Sequence, residues 1–198
     1  MDSGIEPKFK GYDFGNQIPS DEMIFTLMSD LGLPEGIKEH CIVVKEIALD
    51  IVKQIKQRNP QADIDADVVE AGALLHDIGR TKSHGVDHGY RGYMLMREAS
   101  IDERVARCAL VHVLGGFDKE DIKHEFPAEA RDEIKISLMP KNIEEKIVCL
   151  ADKNAEGTTQ VTTKKRFSRW FKKYGKSSFL LKSRYRIMQI EKDIRALM

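Results

Sequence analysis

The amino-acid sequence predicts an all-α fold. Apolar residues recur at helical spacing through most of the chain, period-two alternation is nowhere sustained, and capping residues precede the apolar runs. Ser20 caps a helix through Leu31 that Gly32 and Pro34 end. The next helix runs from Glu35 to Arg58 and stops before Asn59-Pro60. Ile37, Cys41, Val44, Ala48, Ile51 and Ile55 form its buried stripe, and His40 lies on the flank of that stripe, facing the interior. Asp65 caps a third helix, which turns Val68, Ala71, Gly72 and Leu75 inward and delivers His76-Asp77 at its end.

A loop from Gly79 to Asp87 leads to a helix from His88 to Ala99, with Asp87 as its expected cap. Ile101 to Leu114 reads as another helix, ended by Gly115-Gly116 and carrying His112 in its last turn. A polar stretch with a short helix at Asp118 to Lys123 follows. Asn142 and Glu145 have capping-box spacing and open a helix from Ile143 to Asn154, with Ile147, Val148, Ala151 and Asp152 presented from it. The basic segment that closes the chain reads as two helices broken at Gly175.

A chain of 198 residues, 41% of them hydrophobic, suits one domain with a sizeable core. The expected division is an N-terminal extension over 1–34 packing on the core, a central domain over 35–157 and a basic helical extension over 158–198. No apolar run approaches the ~18 residues of a membrane span, and the N-terminus lacks a secretory pattern. The three cysteines, Cys41, Cys108 and Cys149, form no CxxC pair and sit among small apolar neighbours, so they read as buried hydrophobes in a cytoplasmic protein.

The zero net charge hides a division. Residues 157–190 contain no acid, while Lys164 to Arg186 carries ten Lys and Arg with Phe167, Trp170, Phe171 and Tyr174 interleaved. Such a segment can bind phosphates, RNA or an acidic partner. The favoured expectation is a solvated pair of helices whose aromatics pack on the core, with an RNA contact through 164–186 as the alternative.

His76 and Asp77 side by side at a helix end can hold one divalent metal, and the carboxylate keeps an oxygen for a second. His40, His88, His112 and Asp152 lie on other helices, and nitrogen and oxygen ligands spread over helices are how a bundle builds a metal centre in its core. Two metals sharing a carboxylate lower the pKa of water, so that a metal-activated hydroxide exists at neutral pH, and they neutralise charge on a phosphoryl group. On this reading Asp77 bridges and carries catalysis, His40, His76 and Asp152 hold one metal, and His88 and His112 complete the second. A buried carboxylate such as Asp152, with apolar neighbours, is costly without a cation or donors. His84, in the loop, and His124, in a charged stretch, read as surface residues, with contact to substrate or metal as the alternative for His84. Oxygen and nitrogen ligands suit iron, manganese, magnesium or zinc.

His40, His76-Asp77 and Asp152, in this order and in these contexts, resemble the signature of the HD superfamily of metal-dependent phosphohydrolases over roughly Glu39 to Gly157. The resemblance implies an HD-domain helical bundle with a helical C-terminal extension. DHGYRG around His88, ALVHVLGG around His112 and IEEKIVCLADK around Asp152 are similar to di-iron HD hydrolases that cleave diadenosine tetraphosphate. That likeness implies six ligands, His40, His76, Asp77, His88, His112 and Asp152, and two ions with iron first among the candidates. Val113 stands where those hydrolases have Thr, and Asn154 to Gly157 replaces their Ile-Glu-Pro.

The expected function is therefore hydrolysis of a nucleotide or related phosphoester or phosphoanhydride. Arg80, Arg91 and Lys153 are the candidate clamps for phosphates that are not transferred. The alternatives are hydrolysis of an RNA end or cyclic phosphate, and a nucleotide- or RNA-binding sensing module with little turnover.

Overall fold

The structure is a computed structural model that describes residues 12–198. The part of the expected N-terminal extension that falls on residues 1–11 lies outside the described residues. Among the described residues the fold is all-α: ten α-helices, two 3₁₀ turns and one two-stranded ribbon.

The first helix, α1 (Asp21–Asp30), starts where the Ser20 hydroxyl accepts the Met23 N–H, and it packs on α3. The long α2 (Glu35–Arg58) buries the predicted stripe from Cys41 to Ile55. Asp65 caps α3 (Ala66–Leu75) by accepting the Asp67 and Val68 N–H groups. Every residue of α3 from Val68 to Leu75 except Glu70 is buried, because α3 packs against α2, α5 (Glu103–His112) and α8 (Ile143–Lys153) at once. A helix hydrophobic on nearly all sides belongs at the centre of a bundle, and its C-terminal end therefore opens into the middle of the molecule.

After the 3₁₀ turn Ile78–Thr81, α4 (His88–Glu98) folds back onto α5. Gly79 permits this approach: a Cβ there would stand 1.9 Å from the His88 carbonyl oxygen and 2.4 Å from the Gly92 nitrogen. Asp87 does not cap α4 as expected. Its own backbone is helical, and its carboxylate instead accepts from Ser83 Oγ at 2.6 Å and Arg91 Nε at 3.3 Å.

The helix expected over Ile101 to Leu114 is shorter at both ends. Ile101 pairs with Gln17 in a parallel bridge, and Asp102 accepts the Arg104 N–H to cap α5. Val113–Gly115 is a separate 3₁₀ turn in which Leu114 takes a left-handed φ of 54°. The short polar helix is α6 (Lys119–Glu125), capped by Asp118, and α7 (Ala128–Glu133) was not foreseen. Asn142 caps α8, but the Glu145 side chain turns to the Lys141 N–H and Arg107 rather than closing the box.

A two-stranded antiparallel ribbon, β1 (Ala155–Glu156) and β2 (Thr159–Gln160), turns at Gly157; it is too short for any alternation to announce it. The basic segment forms α9 (Thr163–Tyr174) and α10 (Ser178–Arg195), broken at Gly175 with φ 78°. Phe167 is buried, and Trp170 and Phe171 pack against the main core. Ser183 donates to the Leu114 carbonyl, and Arg186 and Lys182 pair with Asp118 and Asp121, so α10 is fastened across the end of α5 and α6. No helix of the described residues is long and apolar enough to cross a membrane.

Candidate metal centre

Four histidines converge where α2, α3, α4 and α5 meet, and each is aimed by the same device. His76 Nδ1 lies 2.7 Å from the Ala73 carbonyl, His88 Nδ1 2.6 Å from that of Gly85, His112 Nδ1 2.7 Å from that of Ala109, and His40 Nδ1 2.9 Å from that of Gly157. A carbonyl only accepts, so each Nδ1 carries the proton and donates it. In the neutral imidazoles this leaves a lone pair on every Nε2, the arrangement that supporting hydrogen bonds give to metal-binding histidines.

The Nε2 atoms point at two carboxylates. His40 Nε2 is 3.2 Å from Asp152 Oδ1, and His76 Nε2 is 3.9 Å from the same oxygen. Asp77 Oδ1 lies 3.1 Å from His88 Nε2 and 3.4 Å from His112 Nε2, while its Oδ2 lies 3.8 Å from His76 Nε2. Two sets of potential ligand atoms result, His40–His76–Asp152 and His76–Asp77–His112, and His88 adjoins the second. Asp77 faces His76 on one side and His88 and His112 on the other.

The site fits a cation on its own chemistry. His76 Nε2 and Asp77 Oδ1 are buried polar atoms with no hydrogen-bond partner among the described residues, although such atoms are normally satisfied. Burial pushes the His76 imidazole down to about 3, only partly opposed by Asp77, and burial likewise lowers His112. Both are thus neutral at pH 7, as ligands must be. Burial alone would raise the two carboxyls. The His76, His112 and His88 imidazoles outweigh it at Asp77, and the Lys153 ammonium and His40 outweigh it at Asp152, so both stay ionised well below the usual carboxylate range. At His40 burial is outweighed by the Asp152 carboxylate, which raises the imidazole pKa.

His40, Asp77, His88, His112 and Asp152 line the floor of a cavity of about 500 Å³, while His76 is fully buried and does not reach its surface. Of the expected clamps, Arg80 lines it and donates to Asp77 Oδ2 at 2.8 Å, and Lys153 lines it while paired with Asp152 Oδ2. Arg91 does not reach it, because α4 turns this side chain away to Asp87 and Glu133. His84, expected on the surface, is exposed but stands at the cavity wall; His124 is exposed and pairs with Glu120. The cysteines are buried and free, and none joins a ligand set among the described residues.

The basic segment is more than a solvated face. Arg166, Trp170 and Tyr174 of α9 and Phe179 and Leu180 of α10 complete the cavity wall. Sequence reasoning did not assign these residues to the site. The available signal was the spacing of 166, 170 and 174, which puts three cavity-facing side chains on one helical stripe.

An all-helical core that gathers four imidazoles and two carboxylates beneath one cavity has the ligand chemistry to hold divalent metal between its helices. Residues 37–156 match the HD domain, and the chain belongs to the HD domain family, whose members bind divalent metals. It is 35% identical over 148 residues to an uncharacterized protein of Methanocaldococcus jannaschii, covering 72% of this chain and 80% of that one. It is also 33% identical over 136 residues to a tRNA (cytidine(56)-2′-O)-methyltransferase of Thermoplasma volcanium, and 30% identical over 135 residues to the protein of that name from Picrophilus torridus. Each of these two matches covers 68% of this chain and 36% of the methyltransferase, so the chain corresponds to about a third of those proteins. No solved structure matches.

Proposed function

We propose that the protein is a metal-dependent phosphohydrolase that cleaves a phosphoester or phosphoanhydride bond of a nucleotide, using two divalent ions with iron as the first candidate. The observation that carries this reading is the convergence of four Nε2 atoms and two ionised carboxylates in one buried cluster beneath the cavity. His40, His76 and Asp152 would hold one ion, and Asp77, His88 and His112 the other. Bound divalent metal supplies a nucleophile from water at neutral pH and stabilises charge on the phosphoryl oxygens.

The chain's own residues do the rest. The backbone carbonyls of Ala73, Gly85, Ala109 and Gly157 keep the imidazoles in one tautomer and one direction. Arg80 and Lys153 hold the outer oxygens of Asp77 and Asp152, which fixes both carboxylates and balances their charge. The apolar wall above the floor limits the water that reaches the reacting bond.

A second reading concerns the source of the substrate. The tRNA methyltransferases that share this region make an RNA-derived phosphoester, such as a strand end or a cyclic phosphate, the leading alternative to a free nucleotide. Metal analysis of protein purified without chelator, followed by hydrolysis of nucleotides, dinucleotides and phosphorylated oligoribonucleotides with iron or manganese, tests the proposal. Bound metal with turnover on any member of the panel supports it. Metal binding without turnover on every member would reduce the protein to a sensing module.

A further inference from the structure

The cavity has a charged floor and a wall of different chemistry. Among the described residues, three Lys and Arg cations line it. Arg80 is matched with Asp77, and Lys153 with Asp152. Arg166 has no carboxylate partner among the described residues: its Nη1 donates to the neutral Ala155 carbonyl, and its buried Nε has no acceptor. The neighbouring Arg169, by contrast, is paired with Glu156. Arg166 is therefore the cavity cation left uncompensated, and an anionic oxygen of a ligand is what would complete it.

Beside this guanidinium stands an aromatic surface. Trp170 lies under Arg166, 5.1 Å from guanidinium carbon to ring centroid, and is braced edge-on by Phe167 at 5.0 Å. Phe179 is backed by Phe117, the rings stacked at 5.9 Å and 14°. Tyr174 stands at the wall, 61% exposed. Two braced rings and an open phenol face a space whose volume lies within the ~300–1,000 Å³ of small-ligand sites. Among the described residues, the only acids on its wall are Asp77 and Asp152 at the floor.

We propose that α9 and the start of α10 form a nucleoside-phosphate subsite, in which Arg166 binds a phosphate oxygen and Trp170, Tyr174 and Phe179 wall the base. This rests on the phosphohydrolase reading for its place in catalysis, but not for binding itself. The ligand chemistry is a phosphorylated nucleoside, supplied either as a free nucleotide or as the terminal nucleotide of an RNA strand.

Trp170 is the sole tryptophan of the chain, so its fluorescence reads the subsite directly. The full-length protein is titrated with AMP, adenosine, ribose 5-phosphate and a 5′-phosphorylated oligoribonucleotide. AMP is expected to change the emission saturably and to bind at least ~5-fold more tightly than ribose 5-phosphate, the least that one stacked base contributes. Arg166→Gln should weaken AMP ~10-fold or more while leaving adenosine unchanged, and Arg166→Lys should recover part of that loss. Tyr174→Ala, at a largely exposed position, should weaken AMP and adenosine alike.

Equal affinity for AMP and ribose 5-phosphate, or an Arg166→Gln variant that binds AMP as the wild type does, would overturn the proposal. Tighter binding of the oligoribonucleotide than of AMP assigns the subsite to an RNA end, and the reverse assigns it to a free nucleotide. Phosphoester hydrolysis with no fluorescence response to any ligand sinks the subsite and spares the phosphohydrolase. Saturable AMP binding with no hydrolysis under any metal does the opposite.

Discussion

The Nε2 atoms of His88 and His112 face each other at 3.1 Å while both Nδ1 atoms donate to backbone carbonyls. With each Nδ1 proton held by a carbonyl, the two Nε2 atoms stand within reach of one shared cation, which would hold them together. The expected metal content of protein purified without chelator is two ions per chain. His112→Ala should lose about one of them and most of the activity. Elemental analysis of both proteins decides the matter, and a wild type that never exceeds one ion in excess iron or manganese would restrict the site to a single metal.

Asp77 and Arg80 separate a ligand from its support. Asp77→Asn keeps the shape but removes the charge that faces both halves of the cluster, so metal affinity should fall by more than the ~10–100-fold that loss of a supporting residue costs. Arg80→Ala removes only the donor to Oδ2 and should fall within that range. Competition with a metal-responsive chelator ranks the two. A Asp77→Asn protein with normal metal affinity would exclude Asp77 as a ligand.

Gly79→Ala tests the backbone packing that sets His88. The added methyl meets the His88 carbonyl and the Gly92 nitrogen, which are helix backbone and cannot rotate away. The expected cost is ~1–3 kcal/mol or more of stability, together with weaker binding of the ion assigned to His88 and His112. Thermal unfolding and metal content are the measurements. Gly36→Ala, where none of the described residues stands within 4 Å, is the control that should do little.

The clasp between α6 and α10 should be acid-sensitive. Burial pushes the Asp118 carboxyl up, but Lys182, the Asp121 N–H and Arg186 outweigh it and bring its pKa down to about 2. A carboxyl whose pKa is lower in the folded state stabilises fully above its unfolded value of ~3.9, and the contribution is lost as pH falls from there through 2. Acidification from pH 4 to 2 should therefore loosen α10. Asp118→Asn should flatten the part of that response followed by Trp170 emission, and an unchanged acid profile in the variant would show that this pair does not govern it.

Most of the helices were legible because their caps and stripes are local: Ser20, Asp65, Asn142 and the stripe of α2 act within a few residues of themselves. The clustering of His40, His76, Asp77, His88, His112 and Asp152 was legible because histidines and aspartates on buried helix faces need partners. The misreadings share a cause. Asp87 was assigned to a cap by spacing, yet Ser83 and Arg91 compete for its carboxylate. Arg91 was assigned to the substrate by its nearness to His88 in sequence, but residues 88 and 91 part at the wall, and Glu133 takes the guanidinium. Arg166, Trp170 and Phe179 were missed because nothing local in the basic segment records that α10 is tied down at Leu114, some seventy residues earlier.

Three of the four imidazoles take their aim from a carbonyl three residues back, whereas His40 takes its aim from Gly157, 117 residues away. His76, His88 and His112 are thus oriented as soon as their own chain segments form. His40 is oriented only after the ribbon has docked, so one half of the centre reports local order and the other reports completion of the fold. An incompletely folded or C-terminally damaged molecule would keep the Asp77 side of the cluster and lose the Asp152 side. The His40 side of the cluster is thus tied to a backbone carbonyl far along the chain, and the Asp77 side to local ones.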